Sequence, residues 1–158
     1  MKLKEVADII KGAHLTEGRT KEDCKQRYRE LTMVSLEPIS FIDERKLIEV
    51  DSCKFVSEGS LTREGDVIVS LYYPMIACYV EKGQEGFVVP HYMATIRLKP
   101  YTNIDPRFIV QFINSTRGRK ALCKEFSSLY SRRPTSLPLK YLNNVDLLDK
   151  ENSLIESY

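Results

Sequence analysis

Gly65-Asp66-Val67-Ile68-Val69-Ser70-Leu71 is the stretch whose reading decides the fold. Gly65 and Asp66 make a turn, and Val67 to Leu71 is a short β-branched run. A second apolar run, Met75-Ile76-Ala77-Cys78-Tyr79-Val80, follows. Turn residues Lys82-Gly83-Gln84-Glu85-Gly86 then lead into Phe87-Val88-Val89 and Tyr92-Met93-Ala94-Thr95-Ile96-Arg97-Leu98. Apolar runs of this length, bounded by Gly, Pro and charge, read as strands. Gly65 to Pro100 is therefore expected to hold a central block of about four strands.

Upstream of the block, Leu3, Val6, Ala7 and Ile10 share one helical face and Gly12 follows as a stop, which predicts a short N-terminal helix. His14 to Glu30 is polar and reads as a loop with one helical turn in Glu22 to Arg27. Tyr28 to Leu36 reads as a strand ended by Pro38, and Leu47 to Val50 and Lys54 to Val56 as short extended pieces. Downstream of Pro100 the period changes. Asp105 can cap a helix whose first position is Pro106, and Phe108, Ile109, Phe112 and Ile113 follow helical spacing. Asn114-Ser115-Thr116 interrupts it, and a second helix is expected over Arg117 to Phe126, its start weakened by Gly118. Ser127 to Ser136 reads as a polar loop, Leu137 to Leu142 as a short helix or turn, and Asn144 to Leu148 as a last strand.

The expected fold is α+β: a mixed, mainly antiparallel central sheet with a short N-terminal helix and a C-terminal helical pair. The 158 residues suit one domain, 1–148, followed by a disordered tail, 149–158. No apolar run nears the roughly 18 residues that span a bilayer, and the first residues lack the apolar core of a signal peptide, so the expectation is a cytoplasmic protein with no membrane partner. Cys24, Cys53, Cys78 and Cys123 are widely spaced with no Cys-x-x-Cys pair, which points to reduced thiols, no metal site and no cofactor. Catalysis has little support. Cys78 and His91 could pair as nucleophile and base but carry no flanking signature, and Gly83 and Gly86 lack the following Lys-Ser or Lys-Thr of a phosphate loop. The chain is expected not to be an enzyme.

The net charge of +2 is small, but its distribution is uneven. From Arg107 to Lys140 there are eight Lys or Arg (107, 117, 119, 120, 124, 132, 133, 140) against one acid, Glu125. A basic stretch on a near-neutral chain is a footprint for phosphate, but on charge alone a solvated helix face is the commoner reading. The candidate DNA contacts are Arg117, Arg119, Lys120 and Lys124 on the helix, with Arg132 and Arg133 in the loop after it. Arg119 and Lys120 lie near a helix start, where backbone N–H groups also favour phosphate. Arg132-Arg133-Pro134-Thr135-Ser136 is the best single loop, because arginine pairs bidentately with guanine and Ser or Thr can reach base or phosphate. Tyr72 and Tyr73, at a strand end, can pack on sugar, reach a base edge or simply cover a core edge. Thr16 to Arg29 mixes signs and ranks second.

Four stretches in this order resemble a target recognition domain of the specificity subunit of type I restriction–modification systems. They are Leu3 to Gly12; Leu61 to Leu71 with its Gly65-Asp66; Val88 to Arg97 with its Ile96-Arg97; and Asp105-Pro106-Arg107-Phe108 through Asn114-Ser115-Thr116-Arg117-Gly118 to Leu137-Pro138-Leu139. The resemblance implies a non-catalytic α/β domain that reads a short half-site in double-stranded DNA. It further implies partners: an adenine methyltransferase subunit, and a restriction subunit beside it. A homodimer is a possible arrangement. The sequence departs from the family at Leu129-Tyr130-Ser131, where a Gly is common, and after Leu142, where the family continues into a long helix. The competing reading is a protein-interaction module of the same fold that has lost DNA reading and docks through Leu139 to Leu148.

Overall fold

The computed structural model describes residues 1–15, 26–72, 75–123 and 136–147. The tail from 149 and the helical turn expected at Glu22 to Lys25 lie outside these residues.

The central block forms as its pattern requires. Strands β4 (Val67–Ser70), β5 (Ala77–Tyr79) and β6 (Met93–Leu98) belong to one sheet with β1 (Ala7–Lys11), in the order β1-β6-β4-β5. All its strand ladders are antiparallel, and a single parallel bridge joins Tyr79 of β5 to Phe41, which agrees with the expected mainly antiparallel sheet. Side chains alternate between two cores, as the period of two along a strand dictates. Val67, Val69, Ala77, Ala94 and Ile96 face a helical layer of α1 (Leu3–Val6), α2 (Pro106–Asn114), α3 (Thr116–Cys123) and α4 (Leu139–Asn144). Ile68, Cys78 and Met93 face a second core completed by Leu31, Leu36, Ile42, Phe87 and Val89. A separate two-stranded antiparallel ribbon, β2 (Gln26–Glu30) with β3 (Ile48–Ser52), stands beside that side.

Several local expectations are corrected. The N-terminal helix stops after one turn at Val6, and Ala7–Lys11 is a strand. The helical spacing there is real, but so short a helix is marginal without packing. The open edge of β6 instead pairs all five residues, from Ala7 opposite Leu98 to Lys11 opposite Ala94, and Ile9 and Ile10 suit the pleat. Gly12 is then not a helix stop. Its N–H donates to Met93 O at 2.9 Å, and a Cβ there would overlap the Pro90 carbonyl, so the backbones touch where only Gly fits. Gln26 and Arg27 begin β2 rather than ending a helical turn. The strand read from Tyr28 ends at Glu30, and Met33–Ser35 is a 3₁₀ turn in which Thr32 and Ser35 cap each other. Phe87, Val88 and Val89 are buried but form no extended strand; Val88 makes single bridges to Glu30 and Leu61. Lys54 to Val56 is not a strand either; the Val56 N–H donates to the Tyr28 hydroxyl at 3.0 Å. The last expected strand reduces to one bridge between Lys2 and Asp146, with the Met1 amine 2.9 Å from the Asp146 carboxylate.

The two motifs that carry the family resemblance meet in space. Asp66 is buried, and its carboxylate accepts from Arg97 Nε at 3.0 Å, Arg97 Nη2 at 2.8 Å and the Arg63 N–H at 2.9 Å. Arg97 Nη2 also donates to Leu61 O at 3.0 Å. The hydrogen-bonded carboxylate of Asp66 holds the guanidinium more firmly charged than usual. The Gly-Asp turn before β4 is thus clamped to the end of β6.

His14 and His91 stack at 3.7 Å between ring centres, in a cleft also lined by Glu30 and Tyr92. Burial first, then His14 and Lys11, hold the His91 imidazole below its ordinary range. A histidine so depressed takes its proton more readily in the unfolded chain. The stability it contributes is complete above the ordinary histidine range and is lost as pH falls through that range. The thermal midpoint is expected to drop between about pH 7.5 and about pH 5.5, and His14→Phe, which keeps a ring but not the charge, should reduce the drop. An equal drop in both proteins would show that the pair does not control it.

Candidate nucleic-acid interface

The described residues of the predicted interface lie on α3 and at the far end of β4, and α2 holds α3 in place. Asp105 accepts the Arg107 N–H at 2.9 Å and Pro106 takes the first helical position, so α2 starts as its sequence requires. Ile109, Val110 and Ile113 bury its inner face. At its C-terminus Asn114 docks the helix on the outer edge of β5. Its Oδ1 accepts the Ala77 N–H at 2.8 Å, and its Nδ2 donates to Ala77 O at 2.9 Å and Ser40 Oγ at 2.8 Å. The side-chain amide thus occupies the place of another strand and blunts an exposed edge.

One residue separates the two helices. Ser115 Oγ accepts the Gly118 N–H at 3.0 Å and donates to Phe112 O at 2.6 Å, which caps α3 and turns the chain. Gly118 is buried, and a Cβ there would overlap the carbonyl of Phe112. The glycine that reads from sequence as a weak helix start is what lets α3 lie so close to α2.

Of the predicted contacts, Arg117 and Lys120 are exposed on α3, and Arg119 is half-buried. Arg119 Nη2 donates to Met75 O at 3.1 Å, tying α3 to the residues just before β5. Tyr72 is half-buried at the end of β4, and Ser70 Oγ both donates to its carbonyl at 2.9 Å and accepts its N–H at 3.3 Å. Leu71 joins the group: its N–H donates to Tyr92 O at 3.0 Å and its carbonyl accepts the Leu137 N–H at 2.7 Å. Leu137 follows soon after the segment that carries Arg132 and Arg133. Lys124, Arg132, Arg133 and Tyr73 themselves lie outside the described residues. Among the described residues, Tyr72 thus sits at the end of β4 next to Leu71, which is bonded to Leu137, and Arg119 of α3 is bonded to Met75 before β5. The sequence does not reveal Ser70, Leu71, Asn114 or Gly118 as the residues that hold these parts; their partners lie far along the chain.

The competing readings meet the same geometry. Leu142, Val145 and Leu147 are buried in the helical-side core and Leu139 packs against it, so the apolar side chains of the stretch proposed as a docking surface are taken up by the core as far as Leu147. The Cys78 thiol donates towards the carbonyls of Phe41 at 3.4 Å and Glu37 at 3.6 Å. Burial pushes it up to about 12, which leaves no thiolate for a nucleophile. His91 stacks on His14 and meets the Tyr92 ring edge-on, so the suggested Cys78–His91 couple is not formed. Among the described residues no group of three His, Cys, Asp or Glu could hold a metal ion, and no helix is long and apolar enough to cross a membrane.

The fold defines an α+β class: a four-stranded antiparallel sheet with helices on one face and a loop layer with a β-ribbon on the other. Solved structures share it. One is a chain from work on the structural basis of complex assembly and conformational transition of the type I R-M system, with a TM-score of 0.64 and 14% identity over 92% of this chain. Another is the HsdS subunit from Thermoanaerobacter tengcongensis, with a TM-score of 0.58 and 13% identity over 92% of this chain. This chain spans 36% of the length of each. No family model matches the sequence, and no curated protein matches it. The likeness to specificity subunits that the motifs implied thus holds at the level of the fold, across nearly the whole chain.

Proposed function

We propose that the chain is a non-catalytic, sequence-specific DNA-binding module that directs a type I restriction–modification complex to its half-site. The observation that supports this reading is that α3 is tied through Arg119 to Met75, just before β5, while Leu71, beside Tyr72 at the end of β4, accepts the Leu137 N–H. A DNA reader needs cations to position it on phosphate and a few preorganised side chains to reach base edges. Here the cations are Arg117 and Lys120, with Lys124, Arg132 and Arg133 following them in sequence, and Tyr72 lies at the strand end with Tyr73 next in sequence. The shared fold with the HsdS subunit supports the setting. On this reading the macromolecular partners are duplex DNA, an adenine methyltransferase subunit and a restriction subunit, and the protein acts in the cytoplasm.

The test is equilibrium binding to duplex DNA across a salt series. Affinity is expected to fall steeply as salt rises, because phosphate contacts release counterions, with a slope near −0.9 per contact. Reversing charge at Arg132 and Arg133 together should flatten the slope by about 1.8. Absence of duplex binding at low salt, alone and with the methyltransferase subunit, would end the proposal.

A further inference from the structure

Within that DNA reading, on which this rests, we infer that Arg119 is a positioning residue for the interface and not one of its phosphate contacts. The three cations of α3 are not equivalent. Arg117 and Lys120 are three apart, so they share a helix face, and both are exposed. Arg119 leaves the helix about 100° from Lys120 and is half-buried. Its Nη2 is committed to Met75 O at 3.1 Å. Its Nε is enclosed with no hydrogen-bond partner among the described residues.

A half-buried guanidinium held by a backbone carbonyl is fixed by its packing, whereas a phosphate contact needs a solvated cation free to reach the backbone of the DNA. Met75 lies at the base of the β4–β5 connection, where the Ser70 N–H donates to Ile76 O at 3.0 Å. Asn114 holds the chain two residues on, at Ala77, the first residue of β5. Asn114 and Arg119 thus hold the start of β5 and the chain just before the strand from either side of the Ser115 turn, and fix how α3 lies near the strand end that presents Tyr72. Neutralising phosphate falls to the exposed face of α3 that carries Lys120.

Two readouts on the full chain separate this from a contact role. The first is the salt slope on a random-sequence duplex. Arg119→Met should keep the wild-type slope, while Lys120→Ala should lose about 0.9. The second is hydrogen exchange of the Ser70 amide. It should speed about fivefold or more in Arg119→Met, the scale of one lost hydrogen bond, and stay unchanged in Lys120→Ala. Should Arg119→Met fail to fold, Arg119→Lys, which keeps the charge without the planar fork, should give the same faster exchange with an unchanged slope. A slope loss in Arg119→Met equal to that of Lys120→Ala, or unchanged Ser70 exchange in both Arg119 variants, overturns the inference. No salt-dependent binding by the wild-type protein would instead sink the DNA reading, and the exchange arm would still decide whether Arg119 positions the strand end.

Discussion

Asp66→Ala is expected to cost about 3–5 kcal/mol of folding free energy, because it leaves a largely buried arginine without its partner. The Asp66 side chain is 2% exposed and that of Arg97 15%. The carboxylate accepts three N–H bonds, two from the Arg97 fork and one from Arg63, and the same fork reaches Leu61 O. Removing the carboxylate strands a guanidinium between β4 and β6 and frees the turn that starts β4. Exposed pairs such as Arg63 with Glu58 stand in contrast and should contribute about 1 kcal/mol or less. Urea denaturation would read the difference as a lower midpoint at an unchanged slope. The double variant Asp66→Ala with Arg97→Met should recover part of the loss, since an apolar pair no longer buries an unpaired charge. A loss under about 1 kcal/mol for Asp66→Ala would mean that the pair is solvated and does not clamp the sheet.

The second large effect is expected at Gly118. Gly118→Ala should destabilise by about 3 kcal/mol, the upper end of overpacking costs, because the group that must yield is backbone. An alanine is normally the better helix residue by about 1 kcal/mol, so a helix-propensity view predicts the opposite sign. A Cβ at this position overlaps the Phe112 carbonyl and lies 3.2 Å from Ile113 Cα, so α3 must swing away from α2 to admit it. The swing would pull Arg119 from Met75 and turn Arg117 and Lys120 relative to Tyr72. The variant should therefore lose stability and, at temperatures where it stays folded, bind duplex DNA less tightly. A stabilised Gly118→Ala protein would contradict the close approach.

How much of this was legible in the sequence depends on how local each cause is. The α2 start was legible because Asp105 and Pro106 act within one turn. β4 and β6 were legible because alternation and β-branched runs are properties of a few consecutive residues. The strand Ala7–Lys11 was not, since its apolar spacing fits a helix and only the edge of β6, some ninety residues away, decides otherwise. Gly12 and Gly118 were misread for one reason: each looked like helix punctuation, and each is a place where another backbone comes too close for a side chain.

The family motifs show a related limit. Gly65-Asp66 and Ile96-Arg97 were visible as separate signatures, but only the fold makes them two halves of one ion pair. The candidate interface divides in the same way. Its cations were readable from charge, and Tyr72 from its place after a strand. The hydrogen bonds from Arg119 to Met75 and from Leu137 to Leu71, which tie α3 and Leu137 to the sheet, join residues more than forty positions apart.

The central claim is that this domain reads DNA sequence, and selection from a random-sequence duplex pool at physiological salt tests it most directly. The account predicts enrichment of one short motif, with each mismatched base pair costing about 1–3 kcal/mol in later measurement of single duplexes. Enrichment should weaken when Tyr72 and Tyr73 are replaced, and overall affinity should weaken when Arg132 and Arg133 are reversed. A pool that returns unenriched from wild-type protein, whether bound without preference or not bound at all, would contradict it.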